Sequence, residues 1–131
     1  MIALDTNVLV RFLVEDDPEQ TARARSFLQR SLEEDSTCFV SDIVLCEVVW
    51  VLGSVYRISR PTVVEHLSAL LRTRQLAFSS TDRVGRALAA FRSGRGDFAD
   101  YLIREHAWAA GCEAVATFER RLLAEEGFLA P

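Results

Sequence analysis

Four short apolar runs limit what this chain can fold into. They are MIALD, CFVS, QLAFSS and EAVATF, at residues 1–5, 38–41, 75–80 and 113–118, and helical patterns fill the gaps between them. Runs of four to six residues are strand-sized, and parallel strands need crossovers of a dozen or more residues, usually helices. The alternation therefore predicts a three-layer α/β/α fold with a short, mainly parallel sheet and helices on both faces. Helices are expected over 6–14, 17–34, 42–56, 59–73, 80–93 and 97–111, with a short one at 119–127. Ser41 and Asp97 stand where N-caps belong, Pro18 and Pro61 near helix starts, and Gly111 where a helix closes. The helix after Ser41 is nearly all apolar from Ile43 to Leu52, so burial on most sides is expected. Trp50, Trp108 and the phenylalanines are expected in the core.

A chain of 131 residues with 50% hydrophobic composition can bury one good core, so a single domain over 1–131 is expected. The net charge is −4, from 15 basic and 19 acidic residues, and every basic residue is Arg. No global basic field exists, so a nucleic-acid contact must come from a local patch. Cys38, Cys46 and Cys112 lack C-x-x-C spacing, which argues against a disulfide framework or a zinc site and for three buried thiols in a reducing compartment. The N-terminus has no basic leader and carries Asp5 and Arg11, unlike a signal peptide. No uncharged run reaches the roughly 20 residues of a membrane span. A cytoplasmic protein without membrane contact is expected.

In parallel sheets ligands bind outside the carboxyl ends of the strands. Asp5 ends the first strand, and Glu119 follows the last. The helix bearing Glu47 in its second turn and the helix starting at Asp97 and Asp100 are expected to begin at that same edge. Glu47 is the only charge between Asp42 and Arg57, and Asp100 shares a helical stripe with Ile103, Ala107 and Ala110, which places it beside the packed face. Carboxylates forced together repel unless a cation sits among them, and Mg²⁺ or Mn²⁺ suits an all-oxygen set. Each acid also has a plainer reading. Asp5 and Asn7 can form an Asx turn, Asp97 and Asp100 a capping box, Glu119 a helix start, and Glu47 a buried ion pair with an Arg. We assign Asp97 to the cap and Asp100 to the site. Arg92 and Arg95, in the loop RSGRGDF, suit either a phosphate clamp or a solvated surface.

Four ordered segments, LDTNVLVRFL, VSDIVLCEVVWVL, GDFADYLIREHAWAAGC and VATFERRL, resemble PIN-domain nucleases, most closely the VapC-type toxins of bacterial toxin–antitoxin pairs. The resemblance implies a Mg²⁺- or Mn²⁺-dependent endoribonuclease acting on tRNA or rRNA, homodimeric and silenced by a cognate antitoxin. It makes Asp5, Glu47 and Asp100 the first three acids of the site, with Asn7 and Thr6 beside the first. Thr117 takes the polar position before the fourth acid. Asp most often stands at that fourth position, and here it is Glu119, whose extra methylene moves the carboxylate by about 1.5 Å. Asp97 marks a DFAD variant of the pattern. Two rival readings are a catalytically weak PIN-fold binding module and a phosphohydrolase of small phosphate esters. The second would want an Asp where Asn7 stands and a Lys that the chain lacks.

Overall fold

The computed structural model describes residues 1–131, which fall into two compact units, 1–79 and 80–131. In the first, strands β1 (Ile2–Ala3), β2 (Cys38–Val40) and β3 (Leu76–Phe78) form a wholly parallel sheet in that order. Ile2 pairs with Cys38 and Cys38 with Leu76. Helices α1 (Thr6–Val14), α2 (Pro18–Glu33), α3 (Asp42–Ser54) and α4 (Arg60–Leu71) connect and cover the strands.

Local chemistry explains where each helix starts. Asp17 Oδ1 accepts the Gln20 N–H at 3.1 Å with Pro18 in the first turn of α2, and Ser41 Oγ accepts the Val44 N–H at 3.1 Å to start α3. The core of the unit joins Leu9 and Val10 to Val40, Leu45, Val48, Leu52, Val63, Leu67 and Leu70, all essentially inaccessible to solvent. Each such side chain contributes about 2 kcal/mol of transfer free energy.

The second unit contains α5 (Thr81–Ser93), α6 (Phe98–Ala109) and the parallel strand pair β4 (Val115–Ala116) and β5 (Phe128–Leu129). Ser80 Oγ caps α5 through the Arg83 N–H at 3.1 Å. Phe91 and Phe98 meet edge to face, with ring centres 6.2 Å apart, where α5 packs on α6. The buried Arg104 lies among the rings of Tyr101, Trp108 and Phe128 and donates to the Glu126 carbonyl at 2.8 Å. The six helices and short parallel sheet fit the three-layer α/β/α class expected from the sequence.

Several expectations need correction. Helix α3 is not buried on most sides: Leu45, Val48, Val49 and Leu52 face inward, leaving Ile43 73% and Trp50 64% exposed. An almost continuous apolar run carries no periodicity to mark its inner face. Phe118 is exposed as well. Only Cys38 is buried; Cys46 is half-buried and Cys112 exposed, and no two are bonded. Burial, with Asp42 nearby, pushes the Cys46 thiol up to about 11. Residues 119–127 form a single 3₁₀ turn, Arg120–Leu122, and β5 follows where no strand was expected. Two residues are too few for an alternation to show. No helix is long and apolar enough to cross a membrane.

Gly127 introduces β5 with φ at +86°, and a Cβ there would lie 2.6 Å from both Arg104 Cδ and Trp108 Cζ2. Gly127→Ala is expected to destabilise the protein by about 2 kcal/mol, read from the denaturant midpoint.

Candidate active site

The Leu4 N–H donates to the Phe39 carbonyl at 2.8 Å, the last ladder bond of β1. Asp5 is the first residue past it. Its backbone is extended, and its Oδ1 accepts the Thr6 N–H at 2.8 Å, so it closes the N-terminus of α1. The positive end of the helix dipole stabilises a carboxylate there. Thr6, 6% exposed, donates from Oγ1 to Glu47 Oε2 at 2.6 Å. The parallel pairing of β1 with β2 starts α1 and α3 at the same sheet edge, and this bond ties their first two turns together.

Asp5 and Glu47 are both exposed. Asp5 is exposed because the strand ends before the carboxylate, and the helix N-terminus stabilises its charge. Glu47 has no Arg partner; the buried-ion-pair reading fails because its carbon stem lies on the outer stripe of α3, between Ile43 and Trp50. Asp5 Oδ2 and Glu47 Oε1 accept no hydrogen bond from the protein. Asn7, also exposed, adds an amide one residue into α1.

The other acids belong to the second unit. Asp97 and Asp100 form a capping box in which Asp100 Oδ2 accepts the Asp97 N–H at 2.8 Å. Asp97 is the N-cap as expected, and Asp100 shares the capping box with it, leaving its second oxygen uncommitted to that bond. The stripe of Asp100 differs from expectation. Ile103 is 53% exposed, and α6 buries Phe98, Tyr101 and Leu102 instead. Gly96 permits the close turn before the cap, since a Cβ there would lie 2.5 Å from Leu122 Cδ2 and 3.2 Å from Asp100 Oδ2.

Glu119 caps the 3₁₀ turn, and its N–H donates to Thr117 Oγ1 at 3.0 Å. Arg121 Nε donates to Glu119 Oε1 at 3.1 Å. That hydrogen bond, with a second from the Arg121 N–H at 3.3 Å, holds the Glu119 carboxyl below its usual range. Arg121 is raised mainly by Glu119, and the charges of Asp97 and Asp100 add to this. Three predicted acids thus act on one guanidinium that sequence reasoning did not single out. The signal was the spacing Glu-x-Arg in FERRL. Arg92 and Arg95 are both exposed, but only Arg95 lies in the loop before the cap; the expectation of a shared loop is corrected for Arg92, which belongs to the last turn of α5 because that helix runs on to Ser93. The loop is fixed at Gly96, whose N–H donates to Tyr101 Oη at 2.9 Å, while the Tyr101 hydroxyl donates to Glu125.

Within neither unit do three His, Cys, Asp or Glu side chains form a closed metal cage. The first unit instead presents two carboxylates with one free oxygen each, linked through Thr6. That set fits a hard divalent ion, which is commonly held by one or two carboxylates while keeping waters for a phosphate ligand.

The Glu119–Arg121 pair favours the folded state above the usual carboxylate range, and its small contribution is lost as pH falls through the lowered value. In Arg121→Gln the Glu119 carboxyl is expected to titrate at higher pH than in the wild type, measured by carboxyl carbon NMR.

The PIN domain family matches the sequence over residues 2–126, nearly the whole chain and both units. No curated protein gives a significant match. Members of the family are generally metal-dependent nucleases. The Asp5 cap, the Thr6 bridge and the Glu47 carboxylate lie inside the matched segment, and the chain belongs to the PIN domain family.

Proposed function

We propose that this protein is the toxin of a type II toxin–antitoxin pair and a Mg²⁺- or Mn²⁺-dependent endoribonuclease of the VapC type. The observation that carries the reading is the Asp5–Thr6–Glu47 arrangement. A buried hydroxyl fixes one carboxylate, a helix N-terminus fixes the other, and each keeps an oxygen free. Asp5 and Glu47 would hold the cation, with Asn7 orienting Asp5 or a water. The family resemblance adds Asp100 as third acid and Glu119 as fourth. A bound Mg²⁺ or Mn²⁺ supplies the Lewis acidity that activates water and neutralises phosphate charge. The residues hold the acceptors still, so that no reorganisation is needed as charge develops. Water adds to phosphorus and the bond to the 3′-oxygen breaks, giving a 5′-phosphate and, with a proton on the departing oxygen, a 3′-hydroxyl.

The reading extends to a tRNA or rRNA substrate, a cytoplasmic location, a homodimer and a cognate antitoxin. Ile43 and Trp50, exposed on either side of Glu47, support a protein partner, because large apolar side chains clustered on a surface mark interaction sites. A second reading, a catalytically weak PIN-fold binding module, draws on the commitment of Glu119 to Arg121.

Purified protein is expected to cleave tRNA or rRNA with Mg²⁺ or Mn²⁺ and not with EDTA. Asp5→Asn and Glu47→Gln should each lower the rate by about 100-fold or more while leaving the circular dichroism spectrum unchanged. Thr6→Val should cut activity and Thr6→Ser restore most of it. Cleavage that survives EDTA, or a 2′,3′-cyclic phosphate product, would overturn the scheme. Metal-independent RNA binding without cleavage would favour the binding module.

A further inference from the structure

A groove of about 670 Å³ runs between α1 and α2 in the first unit. Its floor is apolar, with Leu4, Val8 and Phe27, and it reaches Asn7, two residues from Asp5. Three arginines line it, Arg11, Arg23 and Arg30, and no Asp or Glu does. In a chain of net charge −4 with 19 acids, that segregation is the opposite of what the average surface offers.

The three arginines differ in how they are held. Arg11 is anchored, donating to Gln20 at 2.6 Å, Asp16 at 3.2 Å and Tyr56 at 3.0 Å. Arg23 and Arg30 are exposed and make no ion pair. They are seven residues apart on α2, two turns or about 10 Å, with Phe27 between them on the same side. Arg30 lies over the Phe27 ring at 5.7 Å. Two unpaired guanidiniums along one wall, beside a half-exposed aromatic ring, match the needs of a single nucleic-acid strand: cations that track phosphates and a π-face on which a base can stack.

We infer that the α1–α2 groove binds single-stranded RNA, with Arg23 and Arg30 on the phosphate backbone and Phe27 under a base. The Asn7 end of the groove passes the strand toward the Asp5 and Glu47 carboxylates. The inference deepens the nuclease reading by naming where that site takes its substrate, and it rests on it. Arg23 and Arg30 are positioning residues, remote from the scissile bond. Contacts of this kind are insensitive to sequence, so the choice of cleavage site lies elsewhere.

The test uses the full chain carrying Asp5→Asn, so that bound RNA is not cut, and a fluorescein-labelled 12-nucleotide RNA without secondary structure, with anisotropy read across a salt series. Arg23→Gln with Arg30→Gln is compared with a charge-matched control, Arg72→Gln with Arg74→Gln, exposed arginines of the same unit outside the groove. The groove pair is expected to weaken binding about tenfold at 0.1 M salt and to flatten the slope of log K against log salt by about 1.4, at roughly 0.7 per lost phosphate contact. Phe27→Leu should weaken binding with the slope unchanged. The control should move affinity by less than about twofold. Equal binding by groove pair and control overturns the inference and leaves the groove to a protein segment, while wild-type cleavage of RNA, assayed separately, keeps the nuclease reading standing. RNA binding that depends on Arg23 and Arg30 in a protein whose wild type never cuts RNA would sustain the groove and sink the nuclease.

Discussion

The hydrogen bond from Thr6 to Glu47 is the contact on which the candidate site depends. Helices α1 and α3 leave neighbouring parallel strands and pack against each other, and a buried hydroxyl joins them near their starts at 2.6 Å. A hydrogen bond to a charged acceptor contributes about 2 kcal/mol when shielded and less at an exposed carboxylate such as Glu47. Its larger effect is on geometry. It selects one rotamer for a flexible Glu that would otherwise sweep the solvent, and it leaves the opposite oxygen facing outward. Asp5 reaches the same condition by a different route, with one oxygen spent on the helix cap and one left over.

Much of the fold could be read from the sequence because caps and breakers punctuate it. Asp17, Ser41 and Ser80 all bond the backbone where a helix begins, and Pro18 and Gly111 sit where their fixed or permissive φ is useful. Burial was harder to read. The apolar run of α3 concealed an exposed stripe at Ile43, Glu47 and Trp50, because periodicity disappears when nearly every position is apolar. The C-terminal end was harder still. A 3₁₀ turn and a two-residue strand are set by Glu119, by the positive φ of Gly127 and by pairing with Val115, and none of these leaves a local pattern.

The acids and arginines of the site region were legible in kind but not in pairing. Asp5, Glu47, Asp100 and Glu119 stood out by position, yet what each carboxylate touches is decided by neighbours that only folding supplies. Asp100 turned out to close the cap of its own helix, and Glu119 to hold Arg121. Net charge misleads in the same way. An overall excess of acid coexists with a groove that has no acid at all, because the carboxylates are used up at helix starts and in short-range pairs while α2 keeps Arg23 and Arg30 unpaired.

The brevity of β1 has a dynamic consequence. Only two residues, Ile2 and Ala3, form the strand, and both are exposed, so the bond from the Leu4 amide to Phe39, the last of a short ladder, is the clasp nearest to Asp5. Edges of this kind open far more often than the core unfolds. Each opening lets the Leu4 amide trade its proton with solvent and loosens the chain just before Asp5. The deuterium uptake of that one amide is therefore a clock for how often the strand end beside the site comes loose.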